Sequence, residues 1–219
     1  EIDCQQVQAN AINKTIRDLL AQAQQARKKG KIVLTIERLQ LAVATMQLLP
    51  TAMDKNGALF SVLGREVSTF HRDDVVTGGI NDDAEPSVLE TLRTKISTQA
   101  EQAQFLQLLI QLDAVVQDLD GAYRDRKSLY LVQLAVLSHS LGTTNRAIET
   151  LKQAESVALA IQDKESFDRI IEAETLQANA LIEIGNGYQR LGMITAAHEL
   201  LRQVQALTVT IQDQPHQAN

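Results

Sequence analysis

The sequence predicts an all-α protein, an α-solenoid of about four helical hairpins. Three observations carry that expectation. Apolar residues recur at three- and four-residue intervals over long stretches, the period of a one-sided helix rather than of a strand. Pro is confined to Pro50, Pro86 and Pro215 in a chain rich in Ala, Leu and Gln, so little interrupts such helices. Part of the chain also repeats itself: Ile161-Gln162-Asp163 returns as Ile211-Gln212-Asp213 and Leu141-Gly142 as Leu191-Gly192, both at an offset of 50 residues. Self-similarity at a fixed period is the mark of stacked structural units. Helix is expected over more than roughly 70% of the residues, with no sheet.

Taken in order, residues 1–29 read as a first long helix with Ile12, Ile16, Leu19, Leu20 and Ala23 on its apolar stripe. Arg27-Lys28-Lys29 stands at its end, where positive charge complements the helix dipole. Gly30 supplies a turn and residues 31–49 a second helix, closed by Pro50. Residues 52–70 form the next helix, with Leu59, Phe60, Leu63, Val67 and Phe70 apolar. Residues 71–86 break the pattern with Gly78-Gly79 and five acidic residues, and are expected to be a mobile spacer loop. Ser87 and Glu90 have the spacing of a capping box, which restarts a helix over 87–111. Helices over 114–141, 145–162, 164–191 and 194–212 come next, and residues 214–219 are a polar tail. The units fall near 1–50, 51–112, 113–162 and 163–213, in one domain spanning 1–219, because each unit buries its face on its neighbours.

The last two units align position by position. Leu131 and Leu134 return as Leu181 and Ile184, and Ala147, Glu149, Leu151 and Gln153 return as Ala197, Glu199, Leu201 and Gln203. In the last unit Leu181, Ile184-Gly185 and Tyr188 lie on the first helix and Ala197, Leu201 and Val204 on the second. The preceding unit has Leu131, Leu134-Ala135, Ser138, Ala147, Leu151 and Ala154 there, with Ser138 replacing the aromatic residue. This spacing resembles the tetratricopeptide (TPR) repeat superfamily, in an elongated form whose period is 50 rather than roughly 34 residues. The resemblance implies a right-handed solenoid of TPR-like hairpins with a concave groove lined by first helices. Tyr188 is expected in the core with its hydroxyl at the edge.

Composition narrows the function. The 219 residues are 44% hydrophobic, enough for a sizeable core, but only 3% aromatic with no Trp, which argues against stacking platforms for nucleic acid. A net charge of −6 also disfavours nucleic acid as a partner. No run of about 18 apolar residues exists, so no membrane span is expected. Cys4 is the single cysteine and can form no internal disulfide. The sequence begins at Glu1 rather than Met and is read as a trimmed or mature product, which leaves both a cytoplasmic and an exported or periplasmic location open.

Chemistry is hard to place on this sequence. His71, His139, His198 and His216 make no His-x-x-x-His or Glu-x-x-His pair, so no metal is expected. Ser138-His139-Ser140 are neighbours on a helix and point in different directions, which prevents a nucleophile–base pair. Asp118-Leu119-Asp120-Gly121 has the look of a calcium loop, yet its register puts Val116 and Lys127 at essential ligand positions. No cofactor is expected, and the chain is read as a non-enzymatic scaffold, adaptor or assembly factor. Its partner would be another protein or peptide, held in the groove; the alternative is a regulatory domain sensing a peptide or small ligand. The resemblance places Asn179, Ile182, Asn186, Gln189 and Arg190 on the groove in the last unit. In the third unit it places Leu129, Val132, Val136, His139 and Ser140 there, and in the first Arg17, Leu20, Gln24, Arg27 and Lys28. Amides and guanidinium groups suit a peptide backbone or carboxylate. The superfamily's carboxylate clamp is not reproduced, since Ile182 stands where a Lys is expected.

Overall fold

Gly30, Gly142 and Gly192 all adopt positive φ, at 69°, 81° and 76°. Each ends one helix and turns the chain into the next, because a residue without Cβ enters the left-handed region at little cost. The hydrogen bonds are the same at all three. The glycine N–H donates to the carbonyl three residues back (Arg27, His139 and Gln189), and the next N–H reaches five residues back, to Ala26, Ser138 and Tyr188. This double bond pattern is the Schellman motif, which satisfies carbonyls that a helix end otherwise leaves open.

The computed structural model describes residues 2–63, 87–161 and 167–213. Of these, 85% are helical and none lies in a strand, so the chain is all-α as expected. The helices are α1 (Ile2–Lys28), α2 (Ile32–Met46), α3 (Ala52–Leu63), α4 (Val88–Arg93), α5 (Gln99–Gln117), α6 (Arg124–Ser140), α7 (Thr144–Leu159), α8 (Phe167–Arg190) and α9 (Ile194–Asp213). The glycine turns join α1 to α2, α6 to α7 and α8 to α9, and these are the most closely packed helix pairs. The expected spacer loop at 71–86, with Val67 and Phe70, lies outside the described residues.

Contacts divide the chain into two compact units, Glu1–Gln111 and Leu112–Asn219. In the first, α1 and α2 form a hairpin that buries Ile16, Ala23, Ala26, Ile36, Leu39 and Met46. Helix α3 packs against α1, α2 and α4. It buries Leu59 and Leu63 and leaves Phe60 38% exposed. Gln40 on α2 donates to the Gln104 carbonyl of α5 at 3.1 Å.

Two helix boundaries differ from the sequence expectation. Residues 87–111 are not one helix. The Ser87–Glu90 capping box starts α4 as read, but α4 ends at Arg93 and α5 starts afresh. The cause is a second capping box: Thr98 Oγ1 accepts from Glu101 N at 3.2 Å, and the Glu101 carboxylate accepts from the N–H groups of Thr98 and Ser97, both at 3.0 Å. These backbone donors hold the Glu101 carboxyl below its ordinary range. Helix α5 then continues to Gln117, so 114–141 is not one helix either. Asp120 interrupts it, its carboxylate accepting from Ala122 N at 3.0 Å to cap a 3-10 turn over Gly121–Tyr123.

In the second unit α8 packs on both helices of the α6–α7 hairpin. Gly187 makes this approach possible: a Cβ there would stand 2.9 Å from Leu151 Cδ2 of α7 and 3.3 Å from Val132 Cγ1 of α6. Gly185 faces its own partner helix instead, its Cβ position 3.8 Å from the Ala197 carbonyl of α9. Tyr188 is buried as expected, and its hydroxyl donates to Glu155 Oε2 of α7 at 3.2 Å. The end of α7 is also tied down, since Gln177 of α8 donates to the carbonyls of Ala158 and Leu159, and Arg124 to that of Ala160.

Candidate binding face

Helix α8 buries two of its sides, through Ala178, Leu181, Ile184 and Tyr188 in one stripe and Ala180 and Gly187 beside it. What remains open is the face carrying Asn179, Ile182, Asn186, Gln189 and Arg190. Their spacing sets them in one row along the helix. Gln189 and Arg190 are exposed, Ile182 is 37% exposed, and Asn179 and Asn186 are half-buried. The row therefore offers two part-sheltered amides around an apolar side chain, with an amide and a guanidinium at the C-terminal end.

The other proposed groove residues fare differently. On α6, Val132 is buried against the Gly187 approach of α8 and cannot line a groove, while Leu129 and Val136 are half-covered. The sequence stripe could not show this, because residues 129–137 of α6 are apolar at every position but Gln133. His139 is half-buried at the hairpin turn, its ring nitrogen Nδ1 3.2 Å from Thr144 Oγ1. Ser140 turns back to donate to the Leu137 carbonyl at 2.6 Å. Arg17, Leu20, Gln24, Arg27 and Lys28 form a row on α1, with Arg17, Gln24 and Lys28 exposed and Leu20 and Arg27 half-buried. That row belongs to the first unit and the α8 row to the second.

Two clefts lie elsewhere in the second unit. One, of about 610 Å³, opens at the α8–α9 turn beside Gly192, Met193, Thr195 and Glu199. The other, of about 280 Å³, lies beside Asp120, Arg124, Lys127 and Ala160. Its two cations are engaged with helix-end carbonyls: Lys127 Nζ donates to Gln117 O at 2.7 Å and Leu119 O at 3.3 Å, and Arg124 to Ala160 O at 3.1 Å. Burial lowers the Lys127 ammonium pKa, against the pull of Asp118 and Asp113. Among the described residues no group of three His, Cys, Asp or Glu side chains could hold a metal ion, and no helix is long and apolar enough to cross a membrane.

The chain matches no family model, no curated protein and no solved structure. Sequence reasoning misses Gly187, because the repeat spacing singles out Gly185 and not Gly187. It also misses the helix-end roles of Lys127, Arg124 and Gln177, for which no local spacing gives a signal.

Proposed function

We propose that this protein is a non-enzymatic scaffold of TPR-like hairpins, about four in a right-handed solenoid, that binds an extended or helical segment of another protein. The observation that carries the reading is the open row of α8, where Asn179, Ile182, Asn186, Gln189 and Arg190 stand on one face of a helix locked on its other sides. A rigid helix bearing amides and a guanidinium can recognise a peptide backbone or carboxylate with little ordering cost. The shared glycine turns and the stacking of α8 on the preceding hairpin support the repeat reading. The net charge of −6 and the low aromatic content favour a protein over a nucleic acid as the partner.

Affinity capture with the intact chain, beside an Asn186→Ala/Gln189→Ala/Arg190→Ala variant of equal helicity and melting temperature, tests the proposal. The intact chain is expected to retain a protein that the variant loses. Equal retention by both would remove α8 from the binding surface.

A further inference from the structure

We infer that Asn56-Gly57 is a site of spontaneous chemical modification, where the asparagine loses ammonia and becomes aspartate or isoaspartate, while packing protects the same dipeptide at Asn186-Gly187. Asn-Gly occurs at these two places in the chain, each inside a helix, Asn56-Gly57 in α3 and Asn186-Gly187 in α8. The chemistry starts when the backbone nitrogen of the glycine, having given up its proton, attacks the asparagine side-chain carbonyl carbon. A C–N bond forms, the bond to the amide nitrogen breaks, and ammonia leaves behind a cyclic imide. Water then opens the imide, at the side-chain carbonyl to give aspartate or at the main-chain carbonyl to give isoaspartate. Glycine allows the attack because it carries no Cβ to hinder the nitrogen. A helix blocks it, because there the glycine N–H is bonded to the carbonyl four residues back. The rate in the folded chain is therefore set by how readily the helix opens around each pair.

The two helices open at very different cost. Asn56 and Asn186 are both half-buried, so the asparagines themselves do not differ. The glycines do. Gly57 is exposed with nothing within 4 Å of its Cβ position, and none of residues 52–57 is buried. The buried side chains of α3, Ala58, Leu59, Val62 and Leu63, all follow the pair, so the opening turns can unwind with those still seated. The start of α3 is capped by Thr51, whose Oγ1 accepts from Asp54 N at 3.1 Å. Gly187, by contrast, is buried against Leu151 and Val132, with Leu181, Ile184 and Tyr188 buried on the turns around it. Opening α8 there exposes these side chains to water, which costs far more than freeing the start of α3. Isoaspartate at position 56 would route the backbone through the side chain and break the hydrogen-bond ladder of α3, so the mark loosens α3 as the protein ages.

Ageing the full chain at slightly alkaline pH, natively and in concentrated guanidinium chloride, with peptide mass mapping of both pairs, tests the inference. In the denatured sample the two asparagines should convert at similar rates. In the native chain Asn56 should convert at least about tenfold faster than Asn186. Thr51→Ala, which removes the cap, should speed Asn56 by about threefold or more and leave Asn186 unchanged. Gly57→Ala, which adds a Cβ and favours helix, should slow Asn56 by about tenfold or more with the circular dichroism spectrum unchanged. Equal native rates at the two pairs, or an Asn56 rate that Thr51→Ala does not move, overturns the inference. So does a native Asn56 that stays intact while the denatured sample converts.

Discussion

At Gly187 one missing methyl group decides how closely two hairpins approach. A larger side chain there meets Leu151 and the stiff Val132, both buried, so Gly187→Val is expected to destabilise by about 1–3 kcal/mol through overpacking. Gly57 in α3 is the control, since nothing lies within 4 Å of its Cβ position. Gly57→Ala should stabilise by up to about 1 kcal/mol, the propensity gap between the two residues. Urea melts of the two variants check both signs. Tyr130 and Tyr188 give a pH prediction. Burial is the main cause that pushes both phenols up to about 12, with Glu155 adding to the effect at Tyr188. The folded state keeps these protons while the unfolded chain sheds them near 10, so stability should fall as pH rises between about 10 and about 12. The urea midpoint measured over that range should fall less steeply in Tyr188→Phe. Tyr188 is legible in the sequence because an aromatic residue on an apolar stripe has few other places to go. Gly187 is not, because its role depends on Leu151 and Val132, which only the folded chain brings near.

At the scale of elements, turns and caps govern what can be read. Gly30, Gly142 and Gly192 are visible as helix stops, and their positive φ explains why glycine stands there. Gly192→Val forces a β-branched residue into the left-handed region and should cost at least about 1 kcal/mol in thermal unfolding. The boundary between α4 and α5 is equally local in origin, but no Pro or Gly between residues 87 and 111 marks it. Thr98-Gln99-Ala100-Glu101 has the same spacing as the Ser87–Glu90 box. Thr98→Ala should cost about 0.5–2 kcal/mol, and hydrogen exchange should speed up first in the opening turn of α5. The stop at Asp118–Asp120 is harder to see. Beside the Asp120 cap, Lys127 of α6 reaches back to the Gln117 and Leu119 carbonyls, a contact between separate elements that no local spacing announces.

At the scale of the molecule, the repeat makes a paired claim. Leu151 and Leu201 are one position of the 50-residue repeat, but among the described residues only Leu151 has a hairpin stacked on it. Leu151→Ala should therefore cost about 2–5 kcal/mol, as a buried leucine does, while Leu201→Ala in dilute protein should stay within about 0.5 kcal/mol. The self-alignment reveals that these positions are equivalent. It cannot reveal their different burial, because that depends on whether another helix packs over each hairpin. The candidate site is legible to the same degree: the α8 row comes from spacing alone, whereas the loss of Val132 from any groove comes from packing. The central claim, that this protein works by holding another through the open row of α8, is tested most directly by site-specific photocrosslinking. A photoreactive residue is placed at Asn186 in one sample and at exposed Lys152 of α7 in another, and each is irradiated in the presence of partner protein. The account predicts a defined partner adduct from position 186 and none from position 152. An adduct from position 152 alone, or equal adducts from both, would contradict it.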